Sequence, residues 1–309
     1  MPVRTQAWVV SLTPFDARGA LDEPAFRRHL QRMALAGIGV YVGSSNAGEG
    51  FALSPDERER VFIIAEQELR GRVPVRAGGC EPQSLASALE QVLAAQRAGL
   101  DAAHLFPLDT GHAGAPRPGE IEHYYRSVIE AVNIDVVISN YPAMGYTLPL
   151  PLVRRLLEVC PQLIAVRDAG ADPSYLRDLV ALCRGRAEVD TGGVRNLLTA
   201  MHHGSQGFLS SEANLAPSLG VAVVSAFDAG DFSRLHEMHG HLFRLHEFVN
   251  RFGGSAGRGI KPLLNHLGLP GGTLRAPRQA LEGSELAEMI AAYTALDLPG
   301  APTNRASAG

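Results

Sequence analysis

Short apolar runs and amphipathic stretches alternate eight times along this chain, and that alternation constrains its fold more than any other feature. The β-like runs are WVVSLTPF (8–15), GIGVYVGS (37–44), VPVRAGG (73–79), AAHLFP (102–107), DVVISNYP (135–142), LIAVRDA (163–169), AEVDTGG (187–193) and GSQGFLSS (204–211). Between them lie helical patterns such as EPAFRRHLQRMALAG, opening after Asp22, and SPDERERVFIIAEQELRG, with Ser54 as N-cap and Pro55 at the first helical position. Strand–helix alternation implies a parallel sheet, and eight units imply an α/β fold of the closed (β/α)8 TIM-barrel kind rather than an open doubly wound sheet. No GxGxxG follows a strand, so dinucleotide binding loses its main support. Helical patterns near 217–229, 231–251, 257–268 and 284–296 exceed one per strand and predict a C-terminal helical appendage. We expect residues 1–216 to form the barrel, 217–297 to form helices packed on it, and 298–309, rich in Pro, Ala, Ser and Gly, to be a disordered tail.

A length of 309 residues suits one such barrel, and a net charge of −4 favours neither nucleic acid nor an anionic membrane as partner. The apolar stretches are broken by charges or glycines too soon to span a bilayer. The N-terminus lacks the plan of a signal peptide. Cys80, Cys160 and Cys183 are odd in number and widely spaced, which suits a reduced, cytoplasmic protein and offers no CxxC or CxxH zinc pair. We expect no metal and no cofactor.

In barrels of this kind the site lies at the C-terminal ends of the strands. There the sequence puts Ser44-Ser45-Asn46, Glu81, His104, Ser139-Asn140, Arg167-Asp168, Asp190 with Gly192, Leu209 and Glu212. The GSSNAGEG segment (43–50) is either a cradle of backbone N–H groups for a carboxylate or a tight strand–helix turn. Arg167 ends the sixth strand, and a buried guanidinium needs an anion. Asp190 or Glu212 can supply it, or a ligand carboxylate can. Only one of the 28 Lys and Arg residues is a lysine, Lys261, in a helical stretch of the appendage. An amine can form an imine with a carbonyl, whereas a guanidinium stays protonated and cannot. In HEMHGHLFRLHEF, His236, His239, His241 and His246 read as a solvated helix face, since HEMH is one residue short of the HExxH zinc motif. His104 points either into the barrel or outward to the helices, and His112 with Asp109 is a minor metal candidate.

SLTPFDARGALDEPAFRRHLQRM, GSSNAGEGFALSPDERERV, SNYPAMGYTLP, GFLSSEANLAPSLG and RGIKPLLNHLGL, in this order, resemble the dihydrodipicolinate synthase / N-acetylneuraminate lyase family of class I aldolases from about residue 7 to 297. The resemblance implies a lyase or aldolase-type protein acting on a small 2-oxo acid or related carboxylate, and a homo-oligomer, dimer or tetramer. It places the family's Schiff-base lysine on Arg167 and its relay tyrosine on Ser139. The arginine for a second carboxylate falls near Met144, and the tyrosine supplied across the dimer falls in PLDTGH, which has none. The pair that holds the pyruvate carboxylate falls on Ser44-Ser45 or on Asn46-Ala47, depending on where a two-residue insertion sits. We therefore expect Arg167 and Ser139 as catalytic residues and Ser44, Ser45, Asn46, Ala47, Gly192, Leu209 and Glu212 as the substrate-binding set. The expected activity is a lyase step without a lysine imine, unlike 4-hydroxy-tetrahydrodipicolinate synthesis. The other reading is an inactive relative that binds or senses a small carboxylate.

Overall fold

The computed structural model describes residues 5–254 and 257–302. Eight parallel strands close into a barrel in chain order. They are β1 (Gln6–Val10), β2 (Gly39–Val42), β3 (Val75–Ala77), β4 (Ala102–Leu105), β5 (Asp135–Asn140), β6 (Leu163–Asp168), β7 (Glu188–Gly192) and β8 (Gly207–Ser210). The ring of helices is α1 (Glu23–Ala36), α2 (Pro55–Leu69), α3 (Leu85–Ala98), α4 (Pro118–Ile129), α5 (Leu150–Val159), α6 (Pro173–Cys183), α7 (Leu197–His203) and α8 (Pro217–Asp228). Beyond it come α9 (Phe232–Arg251), α10 (Ile260–His266) and α11 (Gly283–Ala295). The barrel with C-terminal helices is the architecture the alternation implied. α8 packs on β1 and α1 and so completes the ring, which puts the eighth barrel helix beyond the boundary drawn at 216. In the stretch expected as a tail, Leu298 and Ala301 pack on the core and Tyr293 donates to the Pro302 carbonyl at 3.2 Å. Residues 303–309 lie outside the described residues.

The helices start where their caps dictate. The Ser54 side chain accepts from Glu57 N, and the Glu57 carboxylate takes the Ser54 N–H in return. Asp22 caps α1 by accepting from Ala25 N.

Strand side chains alternate between two faces. The outward set, including Val9, Val40, Val75, Leu105, Ile138 and Val166, joins the helices in one apolar core. The inward set is mixed. Ala102, Val137 and Ala165 form a small apolar cluster of their own. Beside them run Tyr41, Arg76 and Asp190, all nearly or fully enclosed. Arg76 Nη1 donates to Asp190 Oδ2 at 3.2 Å and to the Tyr41 hydroxyl at 3.0 Å, and Nη2 reaches Glu188 at 3.1 Å. Its guanidinium also lies 4.2 Å from the Trp8 ring centroid. Gly207 makes this column possible, because a β-carbon there would stand 1.7 Å from Asp190 Oδ1. Burial lifts the Asp190 carboxyl to about 6, against the pull of Arg76.

Candidate functional site

A cavity of about 440 Å³ opens at the C-terminal ends of the strands. Arg167 lines it from β6. The register sets Arg167 between Ser139 on β5 and Asp190 on β7. A β-carbon at Gly192 would lie 3.2 Å from Arg167 Nη2, so the bare glycine gives the guanidinium its seat. The Arg167 head reaches the cavity, while its Nε is buried and has no hydrogen-bond partner. Burial pulls its pKa down, and Tyr41, Tyr141, Asp190 and Asp168 pull it back up, so it stays a cation. Of the two protein anions considered for Arg167, Asp190 is paired with Arg76 and Glu212 with His246. Among the described residues no carboxylate sits within ion-pair reach of Arg167.

His104, on β4, faces inward and lines the cavity next to Phe106, with ring centroids 5.3 Å apart. Its Nε2 is 2.9 Å from Ser139 Oγ. Burial, with Arg167 and Arg76 nearby, holds its pKa well below the ordinary imidazole range, so the ring is neutral. Ser139 is 1% exposed and stands behind His104 rather than on the cavity wall.

Of the loop after β2, Ser44, Ser45 and Asn46 line the cavity. Ala47 is buried instead with Trp8, Val10, Tyr41 and Leu209. The loop is pinned by Ser45 N to the Gly79 carbonyl at 3.1 Å, and Ser45 Oγ bonds the Glu81 carboxylate. Leu209 and Glu212 line the wall from β8 and the turn after it.

The four histidines of α9 were expected on a solvated face, and the structure corrects that most clearly for His246. The His246 side chain is 14% exposed, lines the cavity, and sets Nδ1 2.7 Å from Glu212 Oε1. Ser210 Oγ donates to the other Glu212 oxygen at 2.7 Å, and Asn250 Nδ2 meets His246 Nε2 at 2.9 Å. Burial raises the Glu212 pKa, but the hydrogen bonds from His246 and Ser210 outweigh it, and the carboxyl sits below its usual value. Tyr141, two residues past the resembled tyrosine position at Ser139, also lines the cavity, against Phe106. Among the described residues no group of three His, Cys, Asp or Glu converges as a metal site needs.

Lys261 does not line this cavity. Its side chain is 1% exposed, and Nζ donates to the Thr13 carbonyl at 2.7 Å, Glu49 Oε1 at 2.5 Å and the Thr273 carbonyl at 2.7 Å. Burial pushes its pKa down to about 8, offset in part by Glu49. Glu49 is itself fully buried, with a left-handed backbone at φ 49°.

A family model for the dihydrodipicolinate synthetase family matches residues 5–296. A 4-hydroxy-tetrahydrodipicolinate synthase of Brucella suis biovar 1 is 29% identical over 274 residues, covering 88% of this chain and 92% of that protein. One from Hyphomonas neptunium is 30% identical over 285 residues, covering 91% and 94%. The dihydrodipicolinate synthase of Aquifex aeolicus superposes with a TM-score of 0.86 at 21% identity, over 96% of this chain and 99% of that one. The chloride-inhibited enzyme of Acinetobacter baumannii, solved with pyruvate, gives 0.84 at 23% identity over 95% and 99%. These structures establish the shared fold, and with the match along nearly its whole length the chain belongs to the dihydrodipicolinate synthetase family, a family of lyases.

Proposed function

We propose that this chain is a lyase acting on a small 2-oxo acid without a lysine imine, with Arg167 holding the acid's carboxylate or the oxyanion that develops beside it. The observation that carries this reading is the guanidinium of Arg167, which reaches the cavity and has no carboxylate within ion-pair distance among the described residues. A planar carboxylate matches its fork of donors, and the low-dielectric wall strengthens the pairing. Ser44, Ser45 and Asn46 offer further donors on the same cavity. The lone lysine supports the same view, since its three N–H donors are spent on protein oxygens away from the cavity. Ser139 acts here as a positioning residue. Its hydroxyl lies 2.9 Å from His104 Nε2 and fixes the orientation of that ring. The relatives named 4-hydroxy-tetrahydrodipicolinate synthase carry out a reaction for which Arg167, Ser139 and Met144 leave this chain poorly equipped.

The test begins with pyruvate, the ligand of the Acinetobacter baumannii structure. Calorimetry should detect pyruvate or a related 2-oxo acid binding to the native protein, and Arg167→Ala should weaken it roughly 10- to 150-fold, the equivalent of about 1.5–3 kcal/mol for a charge-assisted bond. Borohydride with pyruvate should add no mass to the intact chain. A stable adduct on Lys261, or binding untouched by Arg167→Ala, defeats the reading. Binding without turnover of any 2-oxo acid selects the alternative of a carboxylate sensor. The same reading expects a homo-oligomer, dimer or tetramer, which light scattering on the purified chain decides.

A further inference from the structure

We infer that His246, oriented by Glu212, is the group that moves the proton in this cavity; the inference rests on the reading of Arg167 as the carboxylate holder. The two side chains come from different parts of the fold, Glu212 from the turn after β8 and His246 from α9 in the appendage. Glu212 is enclosed and ionised, so both its oxygens accept, one from Ser210 and one from the imidazole. His246 Nδ1 is therefore the protonated nitrogen and Nε2 carries the lone pair. Asn250 donates to that lone pair at 2.9 Å. Asn250 is exposed at the cavity mouth, so an entering hydroxyl or C–H can take its place. A buried carboxylate behind one ring nitrogen and a cavity in front of the other is the arrangement that makes an imidazole a general base. Other ionisable groups on α9 are engaged away from this ring: Glu247 pairs with Arg195 at 2.7 Å, Arg251 with Glu288 of α11, and Arg244 with His241 at 2.6 Å.

In the step, a C–H bond beside the oxo group breaks and its proton goes to Nε2. The electron pair of that bond becomes the enolate, whose oxygen takes a hydrogen bond from Arg167. The imidazolium formed rests against the Glu212 carboxylate and later returns the proton to carbon, so no electrons are exchanged with a further reagent.

Pyruvate in D2O reads this directly, because each enolisation replaces a methyl hydrogen by deuterium, which NMR counts. The native protein should speed exchange over buffer, His246→Gln should lower the protein-catalysed rate by about a hundredfold or more, and pyruvate affinity by calorimetry should stay within about threefold. Glu212→Gln should fall in the same direction with the same retained affinity. His246→Ala should recover exchange when imidazole is added, which a merely structural histidine does not do. Exchange unchanged in His246→Gln, exchange and affinity lost together, or no exchange by a native protein that binds pyruvate overturns the assignment. No pyruvate binding by the native protein overturns the Arg167 reading first, and this one with it.

Discussion

Replacing Lys261 with methionine isolates the most deeply buried ion pair in the described chain. The substitution keeps most of the volume and removes three donated hydrogen bonds, to Thr13, Glu49 and Thr273. It leaves the Glu49 carboxylate enclosed, with the Arg275 N–H at 3.2 Å and Arg278 3.8 Å away. Breaking one partner out of a buried pair costs about 3–5 kcal/mol. The nearby Arg278 moves the expectation to the lower end, about 3 kcal/mol. Urea unfolding at pH 7, followed by circular dichroism, should show that loss as a lower midpoint. Pairing Lys261→Met with Glu49→Gln removes the stranded charge and should bring stability back to within about 1 kcal/mol of the native chain. The pH dependence has a definite sign. The folded pKa of about 8 lies below the ordinary lysine value of 10.5, so between these pH values the unfolded chain holds more protons. This group's contribution to stability therefore rises from pH 8 to 10.5 and is lost as the pH falls through 8, and Lys261→Met should lack that rise. A Lys261→Met midpoint equal to the native one, or a double variant no better than the single, refutes the reasoning.

Gly192→Ala places a β-carbon 3.2 Å from Arg167 Nη2; it should weaken 2-oxo-acid binding by about tenfold while costing less than about 1.5 kcal/mol of stability, checked by calorimetry and urea unfolding. Asp190→Asn takes away one of the two carboxylates that meet the buried Arg76, leaving Glu188, and should destabilise the barrel by about 3 kcal/mol, the lower end for a broken buried pair. The native Asp190 carboxyl is raised from 3.8 to about 6, so it favours folding at low pH and loses that contribution as pH climbs through 6; unfolding curves of Asp190→Asn should be flatter across this window. Arg167→Lys should not yield a good aldolase in pyruvate turnover assays, because the new amine would face His104 and Ser139 with no relay tyrosine at the latter position.

The barrel was legible because period-two alternation is local, and the same parity puts Arg167, Ser139 and Asp190 on the inner face. What the strands could not reveal was partnership. Nothing near Asp190 in sequence announces that Arg76, 114 residues earlier, claims its carboxylate and leaves Arg167 open. His246 was missed for a similar reason. Its polar neighbours make α9 look solvated, and only the packing of α9 over the turn after β8 aims that one ring inward. Ala47 came into the set with a loop whose two-residue insertion could be placed in two ways, and the fold turns it down among Trp8 and Tyr41. Lys261 reads as an ordinary helical residue, since the atoms that enclose it come from the other end of the chain.

That last separation bears on how the protein is made. Lys261 secures oxygens at Thr13 and Glu49, 248 and 212 residues upstream, and β1 zips to β8 only once residues 207–210 exist. On a ribosome, which delivers the chain from the N-terminus, the turn carrying Ser44 and Ser45 emerges early and waits for its anchor until most of the protein has been synthesised. A message cut short ahead of codon 261 would still encode Arg167, His104 and Glu212, yet its product would leave that turn untethered, so the cavity wall built by Ser44 and Ser45 is secured late in translation.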